Sequence, residues 1–210
     1  APMPARFVYE PSAEAAVSFS VSYRDVAISP DGRAIAFVTS AGGQRASLQI
    51  RRIDQLESVP LRGAQPAISP FFSPDGEWIG FLDSSDLDIV RKVPVLGGPA
   101  VHLAKVPSQV LGATWASDGV VILGARQGPL FAVPEGGGEP GPVTALGTGE
   151  VDHVFPSAIP GTSVVLFVAV SSGRGTLRAQ IAAVDRSSGR TERLKITGLH
   201  PQYVSTGHII

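Results

Sequence analysis

The segment DSSDLD places Asp83, Asp86 and Asp88 within one short stretch, and carboxylate oxygens at that density are what a hard cation such as calcium takes as ligands. A calcium loop of the EF-hand kind also needs a central glycine and a distal glutamate, and neither stands at the required position. The segment therefore reads as a solvated loop between strands. The four histidines, His102, His153, His200 and His208, are widely separated, without HExxH spacing and with no cysteine to help them hold zinc. His153, just ahead of a strand in DHVFPS, is the candidate ligand-binding residue, the alternative being a histidine satisfied within the fold.

A serine hydrolase needs a GxSxG elbow with Asp and His downstream, and GTSVV at Gly161 does not fit that pattern. Phosphoryl transfer needs a glycine-rich loop with a strand lysine, an HRD segment and a DFG segment, and none is present in these residues. The glycines of PEGGGEPGP, Pro134 to Pro142, could cradle a phosphate only if a helix N-terminus followed, and the residues after them have no helical pattern. They read as a loop. No catalytic residue, metal or cofactor is assigned.

The chain has 210 residues, 43% of them hydrophobic and 17% charged, with a formal net charge of -1. It can bury a substantial core. The balanced charge argues against nucleic acid as a partner, which a basic stripe would attract; the pair Arg51 and Arg52 reads as a solvated strand end. Without cysteine there is neither a disulfide framework nor a thiolate metal site, and the redox compartment stays open. The longest apolar run, VVLFVAV from Val164 to Val170, is far shorter than the roughly 20 residues of a spanning helix and reads as a buried strand. No membrane insertion by this segment is expected. The opening APMPARFVYEP lacks the basic region and apolar stretch of a secretory signal, so the chain is either cytoplasmic or already trimmed, and the second is favoured.

What must position any site is a repeat. Turn glycines recur at Gly32, Gly76, Gly119, Gly161 and Gly207, with separations of 44, 43, 42 and 46 residues. SPDG opens at Ser29 and Ser73 and ASDG at Ala116, with degraded versions IPGT at Ile159 and STGH at Ser205. Proline presets φ in such a turn, the aspartates Asp31, Asp75 and Asp118 bond back to local amides, and glycine accepts the left-handed conformation that closes a hairpin. These acids read as turn formers. A short run precedes each turn, a strongly apolar one follows (AIAFV, WIGFL, VVILG, VVLFVAV), and two more strands complete the unit, such as DIVRKVPV and AVHLA around LGGP.

Four short antiparallel strands in about 40 to 45 residues define a β-propeller blade. The expected fold is all-β, with blades near 26–67, 68–109, 110–152 and 153–199 and a fifth begun at 200–210. Residues 1–25 are a lead-in, whose ARFVYEP could supply a ring-closing strand. An open blade edge invites pairing, so the chain is expected to be an incomplete ring within a longer protein, or to associate through that edge. The apolar second strands should be buried on both faces, with Phe37, Phe81, Leu123 and Phe167 at the core. Trp78 and Trp115 should pack between blades, the alternative being a platform for a ligand.

The segments FSPDGEWIGF and ISPDGRAIAFV resemble the PD40, or WD40-like, repeat of TolB-type propellers, bacterial rings of six to eight blades. From about Ser29 to Ile210, including GATWASDGVVILG and PQYVSTGHII, the chain is most similar to the propeller that follows the kinase domain in acidobacterial serine/threonine kinases. The resemblance implies a non-catalytic binding or sensor module, outside the cytoplasm, that presents its loop face or channel to a protein or small ligand. The same repeat accompanies prolyl-oligopeptidase-type hydrolases, where it gates substrates, and TolB-like docking proteins. Both remain alternatives.

Overall fold

The computed structural model describes residues 17–18, 20, 22–40, 46–173, 176–204 and 206–210. ARFVYEP, the suggested closing strand, lies outside them. The first blade comprises β1 (Val26–Ile28), β2 (Ala34–Thr39), β3 (Ser47–Arg52) and β4 (Val59–Pro60), and the second β5 (Ala67–Phe72), β6 (Trp78–Asp83), β7 (Ile89–Pro94) and β8 (Val101–Lys105). The third is built from β9 (Val110–Trp115), β10 (Val120–Ala125), β11 (Leu130–Pro134) and β12 (Gly141–Pro142), and the fourth from β13 (Glu150–Ala158), β14 (Val164–Gly173), β15 (Thr176–Asp185) and β16 (Arg190–Thr197). A hairpin of β17 (Tyr203–Val204) and β18 (His208–Ile209) opens a fifth unit. Each blade is an antiparallel meander, and a bridge between Ala125 and His153 joins the third sheet to the fourth. The fold is that of a β-propeller. The fourth sheet starts at Glu150, three residues before the blade division read from the turn spacing.

Side-chain chemistry explains why the turns recur. In the first two turns a buried serine organises the loop: Ser29 Oγ donates to Asp31 Oδ1 at 2.6 Å and accepts from the Ala34 amide at 2.8 Å. Ser73 repeats this with Asp75 at 2.5 Å and the Trp78 amide at 2.9 Å. Those serine hydroxyls, then the Arg33 and Glu77 amides, hold the Asp31 and Asp75 carboxyls below the usual carboxylate range. In the third turn Ala116 replaces the serine, and Asp118 instead accepts from Arg186 of the fourth blade at 2.7 Å. The closing glycines, Gly32, Gly76, Gly119, Gly161 and Gly207, have φ of 70, 73, 76, 72 and 87°, where a Cβ would be strained.

The blades hold together face to face. Along β6, Phe81 faces the first blade in a cluster with Leu48, Ile50 and Ile79, while its neighbour Leu82 faces the third in a cluster with Val90, Leu103 and Leu123. Along β10, Leu123 and Ile122 divide in the same way. Second strands are therefore apolar at consecutive positions because both faces are buried. Phe37, Phe81, Leu123 and Phe167 are no more than 1% exposed, and burying each contributes about 2 kcal/mol. Trp115 lies in the interface of the second and third blades, 6.3 Å from Phe71. Lys92 Nζ sits 4.5 Å from the Trp78 ring centre and 5.6 Å from that of Trp115, a cation between two π faces that pins this interface. Among the described residues no helix is long and apolar enough to cross a membrane.

Candidate functional site

The first strand of each blade is the innermost: β5 lies against β1 and β9, and β9 against β13. These strands carry a repeated irregularity. Ser69, Gly112, Phe155 and His200 have φ of 51, 92, 53 and 54°, and each stands four residues ahead of the residue whose carbonyl closes the following turn (Ser73, Ala116, Ile159 and Val204). In β5, β9 and β13 the pairing register shifts at the same place. A bulge of this kind bends the strand and re-aims its side chains. Holding a non-glycine residue in the left-handed region costs about 1–2 kcal/mol. Two of the four blades accept this cost on their inner strands, at Ser69 and Phe155, the third blade meets the conformation with Gly112, and the fifth unit accepts the cost at His200.

The bent strands enclose a cavity of about 590 Å³, within the size range of small-ligand sites. Phe71 and Phe72 of β5, Trp115 of β9, Phe155 of β13 and Tyr203 of β17 supply its aromatic surface, and Pro30, Pro70, Pro74, Pro156 and Pro160 much of the rest. Ser69, Thr114 and Ser157 add hydroxyls. Arg24 is the one charged side chain on the wall, which among the described residues has no Asp, Glu or Lys. With the Gln202 amide turned to present its oxygen, that oxygen accepts from Arg24 Nη2 at 2.9 Å and also from Nη1. Beside them the His200 ring lies 3.9 Å, centre to centre, from that of Phe155. Burial lowers the pKa of Arg24, and burial followed by the Arg24 charge lowers that of His200.

His153 stands elsewhere, fully buried inside the fourth blade. Its Nε2 lies 2.9 Å from Glu150 and its Nδ1 2.7 Å from Thr144 Oγ1, which also accepts from the Leu130 amide at 2.9 Å. The neutral Nε2–H tautomer satisfies every atom of that chain: Nε2–H donates to Glu150, and the Thr144 hydroxyl donates to Nδ1. The ring packs 4.7 Å from Phe167, centre to centre. Arg193 completes the cluster with two bonds of 2.6 Å to Glu150. Both nitrogens of His153 are occupied by the fold itself.

Asp83, Asp86 and Asp88 do not converge. Asp83 takes Arg91 at 2.9 Å, and Asp86 takes Lys105 at 3.0 Å. Among the described residues no three His, Cys, Asp or Glu side chains are grouped to hold a metal ion. Arg52 pairs with Asp54 at 3.1 Å on the surface.

Fully buried His153 and half-buried His200 set a pH response. Both have folded pKa values below the unfolded value of 6.5, burial being the main cause. As pH falls through 6.5 the unfolded chain gains protons that the folded chain refuses, so stability is present above that pH and is lost below it. Carboxylates with lowered pKa stay charged in both states there and leave the slope alone. Thermal unfolding should therefore occur at a lower temperature at about pH 5.5 than at about pH 7.5. His200→Gln should flatten that dependence; an unchanged slope in the variant would show that His200 stays free to protonate when folded.

No family model matches the chain, and no curated protein matches it in sequence. Solved structures do. A TolB-type protein from Agrobacterium tumefaciens is 17% identical with a TM-score of 0.69, over 80% of this chain and 63% of that one. TolB from Acinetobacter baumannii is 18% identical with a TM-score of 0.67, over 88% of this chain and 46% of that one. The propeller domain of the trilobed protease from Pyrococcus furiosus, described as having an open velcro topology, is 14% identical with a TM-score of 0.54, over 83% of this chain and 58% of that one. The chain thus spans roughly half to two thirds of these three structures, and at these identities the likeness is one of fold.

Proposed function

We propose that the chain is a non-catalytic β-propeller docking module that receives a peptide or small ligand in the cavity bounded by its innermost strands. The observation that carries this reading is the cavity itself: apolar and aromatic walls, a few hydroxyls and, among the described residues, a single cation, assembled from four blades and the start of a fifth. Rigid strands place such groups with more precision than loops, and a mainly apolar wall with few polar groups is the usual composition of a ligand site. The resemblance of its repeats to those after acidobacterial serine/threonine kinase domains supports a sensor attached to such a kinase, outside the cytoplasm. The likeness to the trilobed protease propeller favours a second reading, a ring that filters substrates for a peptidase. Sequencing the natural gene on both sides separates the two, by kinase motifs or by a hydrolase elbow.

The absence of cysteine makes the docking site directly testable. Ile28 is on the cavity wall and 63% exposed, whereas Leu177, 71% exposed on β15, is outside it. An environment-sensitive fluorophore on Ile28→Cys should respond to a pooled library of short peptides, and the same label on Leu177→Cys should not. A response at Leu177 alone, or at neither position, would remove the cavity as the docking site.

A further inference from the structure

We propose that the cavity selects ligands bearing a carboxylate on an apolar body, with Arg24 as the group that receives the carboxylate. This rests on the reading of the cavity as a docking site and adds the chemistry of what docks there.

The wall is asymmetric in charge. It holds one guanidinium and, among the described residues, no acid. No described carboxylate forms an ion pair with Arg24; its one described partner is the neutral side chain of Gln202. An arginine that is partly desolvated without an anion is costly to keep, and an incoming carboxylate offsets that cost where water is already reduced. The lowered pKa of Arg24 has burial as its cause, with no described carboxylate opposing it. Gln202 takes only oxygen-directed bonds from the guanidinium, which leaves donors of the planar fork for a bidentate partner. His200, whose neutral form is favoured by burial and by the Arg24 charge, offers a further polar contact beside it.

The apolar part of the ligand follows from the rest of the wall. Phe71, Trp115, Phe155 and Tyr203 offer faces and edges to an aromatic or branched side chain. Proline rings complete a surface with no amide hydrogen to satisfy. The volume suits a ligand of a few residues, either the C-terminal end of a peptide or a free aromatic acid.

The test uses N-acetyl-Ala-Pro-Phe as free acid, its C-terminal amide, and 3-phenylpropionate, titrated calorimetrically into the whole chain. The acid should bind at least about thirty-fold more tightly than the amide, the range expected when a charged hydrogen-bonded pair replaces a neutral contact. Arg24→Gln should erase that preference, the acid losing far more affinity than the amide. Ile28→Glu, at an exposed wall position where folding is not at risk, should weaken the acid more than the amide. Phenylpropionate binding as well as the peptide acid would mark a free organic acid as the ligand, and binding of the peptide acid alone would mark a chain terminus. Equal affinity of acid and amide would overturn the carboxylate selection while leaving the cavity as a docking site. A preference that survives Arg24→Gln would overturn the assignment of Arg24. Failure of all three probes would overturn the proposal, and the label at Ile28 then decides separately whether anything docks in the cavity.

Discussion

Replacing Phe167 by alanine should lower the unfolding free energy by about 4 kcal/mol. The side chain is fully buried on β14, opposite Ala182, among Ile122 and Leu130 of the third blade and Val165 and Val184 of its own. The His153 ring packs on it, and the Arg193 guanidinium lies 5.7 Å from its ring centre. Truncation removes the apolar transfer energy and leaves a void between two sheets that cannot close without moving a blade. Phe167→Leu keeps most of the volume and should cost about 1–2 kcal/mol. Urea unfolding measures both, and a loss below about 1 kcal/mol for the alanine variant would mean that the third and fourth blades do not pack as described.

Glu150→Ala should cost about 3 kcal/mol, because one carboxylate satisfies three groups. It accepts two bonds from Arg193, one from His153 Nε2 and one from the Gly147 amide at 2.6 Å. The Glu150 side chain is 12% exposed and that of Arg193 29%, so removing the acid strands a half-buried cation and a buried imidazole N–H. The effect has a pH signature. Burial raises the Glu150 pKa, but Arg193, the Gly147 amide and His153 together outweigh it and hold the pKa below 4.5. A lowered acid stabilises the folded state above its unfolded pKa, and that stability is lost as pH falls through the folded value. The gap between wild type and Glu150→Ala should thus narrow in strong acid. Glu150→Gln, which keeps the shape and some bonds, should recover about half of the loss at neutral pH. A constant gap across the acid range would separate the Arg193 pair from the stability of the fourth blade.

The elements of the propeller were legible because each rests on local chemistry. Asp31 with Gly32, and Asp75 with Gly76, close turns by bonds within a few residues, and the period of those turns marks the blades. The doubly buried second strands showed in unbroken apolar runs such as VVLFVAV. The cavity was not legible, because its walls meet only through the curl of successive blades. Arg24 stands in a stretch read as a lead-in, and nothing local links it to Gln202 at the far end of the chain. The bulge at Ser69, Phe155 and His200 places non-glycine residues in a glycine conformation, and its one sequence trace is the proline that follows each. The sequence places His153 just ahead of a strand, whereas it lies within β13. Its surroundings come from Thr144, Glu150 and Arg193, and the last is on another strand, so no spacing rule announces them.

The central claim is that the innermost strands bound the site where a ligand docks. Amide hydrogen exchange, measured with and without saturating N-acetyl-Ala-Pro-Phe acid, tests it most directly. The account predicts slowed exchange in β1, β5, β9 and β13 and at the turns opening on the cavity, with β4, β8, β12 and β16 unchanged. Protection confined to the outer strands, or none anywhere, would contradict it.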